Sequence, residues 1–183
     1  MASNIVTKRL IEADRAALIA HFRMLSPTSR YLRFGTGIRD EALARYVERI
    51  DFDRDALYGV HESDLSLVGV AHIAITDASA ELGVSVLETH RKQGIGAALF
   101  ERASIWARNH GVTVLYTHCL VENAEMMRIA RKSGMDVVTI GGEADAHLKL
   151  SPSNFGTIAA ELLQDRVALY DYALKSYVMR YSS

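Results

Sequence analysis

Hydrophobic and polar positions change period along this chain, and the changes mark its elements. Leu82, Val84 and Val86 alternate with Gly83 and Ser85, the two-residue period of a strand with unlike faces. After Gly94 the period lengthens. Ile95, Leu99, Ala103, Trp106 and His110 step by four, four, three and four, one face of a helix. Upstream, Ile5 to Ile11 predicts a first strand. Asp14 is placed to cap a helix over Arg15 to Leu25, which Ser26-Pro27 stops because proline disfavours helical geometry in the residue before it. Asp40 to Ile50 predicts a second helix. Leu57 to Val60 and Leu67 to Ile75 read as strands joined by the polar turn Glu62-Ser63-Asp64, and Thr76 to Ser79 turns the chain into the strand that ends at Val86. Val112 to Val121 predicts a fifth strand, and Glu122-Asn123 opens the next helix. Asp136 to Ile140 and Ala146 to Leu150 form a final pair around Gly141-Gly142. The short early spacings imply antiparallel neighbours, whereas later strands alternate with helices. The expected fold is α/β, with a mixed, mostly antiparallel twisted sheet of six to seven strands flanked by helices.

The tail departs from this rhythm. Asn154 caps a long helix in which Leu163, Val167, Tyr170, Leu174, Val178 and Tyr181 step by four, three, four, four and three. Leu162, Leu169, Ala173 and Tyr177 widen that stripe. A face this broad is expected to leave water, either by packing back on the sheet or by pairing with a second subunit. Residues 1–150 thus read as one domain, and residues 151–183 as an added amphipathic helix for packing or dimerisation.

Between the alternating strand and the long helix lies Arg91-Lys92-Gln93-Gly94-Ile95-Gly96. Glycines let the backbone approach a ligand closely. The first N–H groups of a helix lack intrahelical partners, and the helix dipole adds partial positive charge there. Arg91 and Lys92 bring full charges to the same spot. The turn is therefore suited to a pyrophosphate held largely by main-chain N–H groups; glycine used only for packing is the bland alternative.

Composition narrows the partners. The 183 residues are 49% hydrophobic and 23% charged, ordinary for a globular chain long enough for a sizeable core. The net charge of −1 gives no electrostatic reason to expect nucleic acid or an anionic membrane. A single cysteine, Cys119, excludes an intrachain disulfide and fits a reducing, cytoplasmic setting. No run reaches the roughly 20 apolar residues that span a bilayer, and the N-terminus lacks a secretory core. The seven histidines show no metal-ligand spacing, so no metal is expected. His72 and His118 read as satisfied core or edge residues, Cys119 as a small buried side chain, and Met126 and Met127 as packing against the sheet or a ligand.

Arg91, Gly94 and Gly96 after a fourth strand, a fifth strand, an Asn-opened helix at Asn123, and Gly134-Met135 together resemble the coenzyme A motif of the GCN5-related N-acetyltransferases (GNAT), over approximately residues 5 to 150. The segment Leu25-Ser-Pro-Thr-Ser-Arg-Tyr-Leu-Arg-Phe34 and the glutamate at Glu81 are similar to the bacterial Pat-type protein lysine acetyltransferases. The resemblance implies acetyl-coenzyme A as cosubstrate, lying between the fourth and fifth strands. Its pantetheine arm would bond main-chain groups of Val86 and Leu87, freed by a bulge, with Asn123 touching the arm, and its pyrophosphate would sit on the amides of Arg91, Lys92, Gln93, Gly94, Ile95, Gly96 and Ala97. It also implies transfer to a primary amine, of a protein lysine or a small molecule, by direct attack in a ternary complex. Glu81 is the expected base, its pKa raised by partial burial; Glu88 and Glu122 are the alternatives. Ser26 to Phe34 either lines the acceptor side or is a packing loop with Tyr31 and Phe34 anchored and Arg33 solvated. Ala130 stands where many members carry a tyrosine acid, so that acid is absent. The rival reading is a non-catalytic acyl-coenzyme A sensor with the tail helix as its output.

Overall fold

The computed structural model describes residues 5–181; the ends of the two expected units, residues 1–4 and 182–183, lie outside the described residues. Seven strands form one sheet: β1 (Lys8–Arg9), β2 (Ala56–His61), β3 (Leu67–Thr76), β4 (Ser79–Val86), β5 (Val114–Leu120), β6 (Asp136–Ile140) and β7 (Glu143–Lys149), in the order β1-β2-β3-β4-β5-β7-β6. Only β4 and β5 pair in parallel. The helices are α1 (Arg15–Met24), α2 (Pro27–Phe34), α3 (Asp40–Glu48), α4 (Ile95–Asn109), α5 (Ala124–Lys132) and α6 (Phe155–Tyr181). This is the expected α/β fold with its mixed sheet and added C-terminal helix.

Every residue of β2 is buried, because helices cover both faces of the sheet centre. On one face Phe22 of α1, Phe34 of α2 and Tyr46 of α3 meet edge to face, with ring centroids 5.2–5.8 Å apart. On the other, Leu99, Ala103 and Trp106 carry the predicted stripe of α4 into the core.

Three expectations are corrected. The first strand shortens to two residues, since only Lys8 and Arg9 pair with β2. Asp14 does not cap α1 with its side chain; its carboxylate accepts from the Ile11 amide and from Lys8. The segment after Pro27 is a helix rather than a loop. Ser26 accepts from the Ser29 amide as N-cap, Pro27 takes the first helical position, and Gly35 ends the helix in the left-handed conformation at φ 71°. Proline does stop α1, but it starts α2 at once.

Candidate active site

The site follows from how β4 and β5 part. They pair at only three positions, Ser79–Glu81 against Val114–Tyr116, and then diverge. On the other edge of β4 the antiparallel ladder with β3 runs in unbroken register to Val86. Leu87 continues that side, its amide donating to the Val68 carbonyl at 2.9 Å while its own carbonyl accepts from His90. By antiparallel alternation Ser85 and Gly83 share that side, and the main-chain groups of Val84 and Val86 face the gap. The expectation for Leu87 is thereby corrected: both of its main-chain groups are used, and Val84 takes its place beside Val86. No bulge frees these groups. The parallel ladder simply stops.

A cavity of about 430 Å³ occupies the divergence. Of the residues expected at the coenzyme, Val86, Arg91, Lys92, Gly94, Ile95, Gly96, Ala97 and Asn123 line it. Gln93 does not; it is exposed, and its amide nitrogen reaches the Thr89 carbonyl at 3.4 Å. Gly94 has φ +89° and Lys92 φ +61°, left-handed values that turn the chain into α4. Ala98 makes the first bond back to Gly94 at 3.0 Å, so the amides of Ile95, Gly96 and Ala97 open into the cavity mouth without intrahelical partners. Among the described residues no side chain caps this helix end. At Gly96 a Cβ would lie 2.9 Å from Ile129 and 3.9 Å from Val86, so glycine keeps the passage open.

Cations line the same wall. Arg91 donates to Ser29 Oγ at 2.7 Å, reaches the Val86 carbonyl at 3.4 Å, and pairs with Glu125 at 3.8 Å. Arg128 and Lys132 join from α5. Their spacing of four, Arg128 to Lys132, places them on one helix face, a signal present in the sequence. Asn123 caps α5, accepting from the Met126 amide at 3.1 Å, and its amide nitrogen reaches the Leu32 carbonyl at 3.4 Å, which ties α5 to α2. Free amides at a helix mouth, an open glycine passage and four flanking cations fit the diphosphate of a coenzyme A thioester.

The three candidate bases separate. Glu122 lines the cavity, whereas Glu81 and Glu88 do not. Glu81 ends the β4–β5 ladder opposite Tyr116 and is exposed, not partly buried as expected. Glu88 accepts from the hydroxyls of Ser26 and Ser29, which hold its carboxyl below the usual range and make it a weak base.

The face of β4 turned toward α1 and α2 holds a pair that the sequence did not reveal. His21 of α1 and Ser85, far apart in the chain, meet at 2.8 Å between Nε2 and Oγ. Nδ1 lies 2.8 Å from the Leu67 carbonyl, which can only accept, so Nδ1 carries the hydrogen and Nε2 accepts the Ser85 proton. Ser85 therefore offers only lone pairs to the cavity it lines. Arg33 lines it too, and is not solvated as the packing alternative had it; Tyr31 is exposed, not anchored, while Phe34 packs in the ring cluster.

Other readings sort plainly. His72 is buried and satisfied between Tyr46 and Asp55. His118 is exposed rather than core, and its hydrogen bond with Asp145 raises its pKa. Cys119 is buried against Met127, and burial pushes its thiol up. Met126 and Met127 are buried, Met126 at the cavity. Among the described residues no helix is long and apolar enough to cross a membrane, and no cluster with metal-ligating character occurs.

Residues 25–135 match the model of the acetyltransferase (GNAT) family. The GNAT domain of S. lividans PAT superposes with a TM-score of 0.68 at 18% identity, covering 79% of this chain and 89% of that one. A Salmonella typhimurium structure described as an acetyltransferase with its cofactor acetyl-CoA gives 0.64 at 19% identity, covering 83% and 97%. A ribosomal-protein-alanine N-acetyltransferase from Brucella melitensis gives 0.61 at 20%, covering 80% and 100%. At these identities the likeness is one of fold. A sequence search of curated proteins gives no significant match.

Proposed function

The chain belongs to the acetyltransferase (GNAT) family, and on that premise we propose that it transfers acetyl from acetyl-coenzyme A to a primary amine by direct attack in a ternary complex. The observation that carries this is the β4–β5 divergence with unpaired α4 amides at its mouth. When bound, the thioester supplies the acetyl group. Amides of Ile95, Gly96 and Ala97 hold its diphosphate, with Arg91, Lys92, Arg128 and Lys132 around them. Main-chain groups of Val84 and Val86 align the arm, and a Val86-side N–H is placed to polarise the carbonyl. Met126 and Ile129 exclude water from the arm.

As the amine nitrogen bonds to the carbonyl carbon, the carbon–sulfur bond breaks and the sulfur leaves as thiolate. The amine must arrive neutral, and an alkylammonium with a pKa near 10.4 needs help to lose its proton. Glu81 takes that proton through water, from an exposed position on the same strand face as Ser85. Glu81→Gln is expected to lower kcat about 100-fold with coenzyme A affinity unchanged, while Glu122→Gln changes kcat by less than about threefold. Equal loss of turnover and affinity in Glu81→Gln, or no turnover with any amine, supports the sensor reading instead. The acceptor is a protein lysine or a small-molecule amine, and the lone cysteine favours a cytoplasmic setting.

The tail supplies a second partner, another copy of this chain. Helix α6 is fastened by its polar side: Asp165 and Gln164 hold the buried Arg102, Glu161 and Thr157 hold Asn109, and Lys175 reaches the His61 carbonyl. Its apolar side points outward, with Leu162, Leu169, Tyr170, Tyr177 and Tyr181 all more than 60% exposed. An unpartnered apolar face of this kind marks an interface, and a stable dimer buries about 800 Å² on each partner. The wild-type protein is expected to sediment as a dimer at micromolar concentration, and a Leu163→Glu/Tyr170→Glu variant as a monomer. A monomeric wild type would contradict this.

A further inference from the structure

Among the described residues the exposed Lys92, Arg128 and Lys132 on the cavity wall make no ion pair and keep their water, but one half-buried cation there, Arg33, also has no anion. Arg33 stands in the last turn of α2, and its guanidinium lies against the main chain of β4 so closely that a Cβ at Gly83 would meet Nη2 at 2.1 Å. Its neighbours are paired, Arg30 with Asp40 and Arg91 with Glu125, but Arg33 makes no ion pair among the described residues. Its one hydrogen bond runs from Nη2 to the Tyr46 hydroxyl at 3.2 Å, and Nε is buried without a partner.

The groups behind Arg33 position it without neutralising it. Asp55 accepts from His72 Nε2 at 3.0 Å, so Nδ1 accepts the Tyr46 proton at 2.6 Å. The Tyr46 oxygen then has only lone pairs left for Arg33. The carboxylate at the far end of this relay is already shared with Arg54. The uncompensated charge is felt nearby: burial lowers the pKa of His21 and of His72, and Arg33 adds to both. A guanidinium stays charged at any physiological pH, and a partly desolvated one calls for a counter-anion.

The phosphates of the coenzyme are not that anion. Gly83 and Ser85 face α1 and α2, whereas Val86 faces the α4 mouth where the diphosphate cradle lies. We propose that Arg33 binds a carboxylate carried by one of the two reactants, either the small amine acceptor or the acyl chain. This rests on the transferase reading. Planar guanidinium matches planar carboxylate through two parallel N–H bonds. On the acceptor, the same charge would lower the pKa of the adjacent ammonium and so deliver a neutral amine. Ser85, held as a donor to His21, presents lone pairs to that amine's N–H.

The test compares each member of a panel of amino acids with its own amide, using acetyl-coenzyme A, and in a second arm compares succinyl- with acetyl-coenzyme A on an amine that lacks a carboxylate. One arm is expected to show at least a tenfold preference in kcat/KM for the carboxylate-bearing partner, and which arm does so identifies the source. Arg33→Gln should abolish the preference without changing coenzyme A affinity. Gly83→Ala, which places a methyl where the guanidinium lies, should weaken it while leaving Arg33 in the chain. Absence of preference in both arms, its survival in Arg33→Gln, or a parallel loss of coenzyme A affinity overturns the proposal. A readout free of turnover is the Arg33 Nε–H resonance during titration with succinate. A response there in a protein that binds no coenzyme A would sink the transferase reading and keep the anion site; no response sinks the site.

Discussion

Gly96→Val is expected to reduce coenzyme A affinity at least about 100-fold while the protein stays folded. The added side chain would project towards Ile129 and Val86, both on the cavity wall, and close the passage between α4 and β4. The nearest contact, 2.9 Å to Ile129 Cδ1, is with the end of a flexible side chain, so the fold can yield where the ligand cannot. Gly94→Ala makes the informative contrast. Gly94 holds φ +89° and a Cβ there meets nothing closer than Ile5 at 3.4 Å. Left-handed strain then costs about 1–2 kcal/mol of stability, with a smaller effect on affinity. Calorimetric titration with coenzyme A, paired with thermal melts, separates the two. Tight binding by Gly96→Val would mean that the cavity is not the coenzyme site.

Stability is expected to fall steeply between pH 6.5 and pH 4, with His21 as a main cause. Burial holds its pKa down to about 4 from the ordinary 6.5; the Leu67 carbonyl pulls upward and Arg33 downward. The unfolded chain therefore binds the proton first as pH drops, and the folded state loses ground throughout that window. The stabilisation is complete above pH 6.5 and vanishes as pH approaches 4. The full shift corresponds to roughly 3 kcal/mol, of which about 2 kcal/mol is gone by pH 5. His61 acts with the same sign, its pKa lowered to about 4 chiefly by burial. The exposed His118, raised by Asp145, acts with the opposite sign. Urea unfolding at pH 7.5 and 5.0 measures the loss, and His21→Gln should flatten it. Equal wild-type stability at both values would refute the neutral, buried state of His21.

Much of the cavity wall around Arg91 was legible because it is local. The cradle from Arg91 to Ala97 is a strand, a turn and a helix mouth contiguous in sequence, and its chemistry depends on backbone amides whose exposure follows from helix geometry itself. Ala124 to Lys132 was equally readable, since an Asn cap and helical spacing are short-range signals. Ser26 and Pro27 carry the cap and first-position signals of the helix at Pro27–Phe34, but the same proline also stops α1, so one local signal serves two elements.

The chain by itself determined the order of elements, the glycine-built anion cradle and the presence of an amphipathic tail, because periodicity and capping are set by neighbours a few residues apart. Only the tertiary structure decided which main-chain groups face the gap, since one residue of register exchanges Leu87 for Val84 and Val86. It alone brought His21 to Ser85 and left Arg33 without an anion on the cavity wall, pairings that join elements dozens of residues apart. It also turned the tail helix polar side inward, so that the stripe does not pack back on the sheet, because the buried Arg102 required Asp165 and Gln164 more than the core required another apolar face.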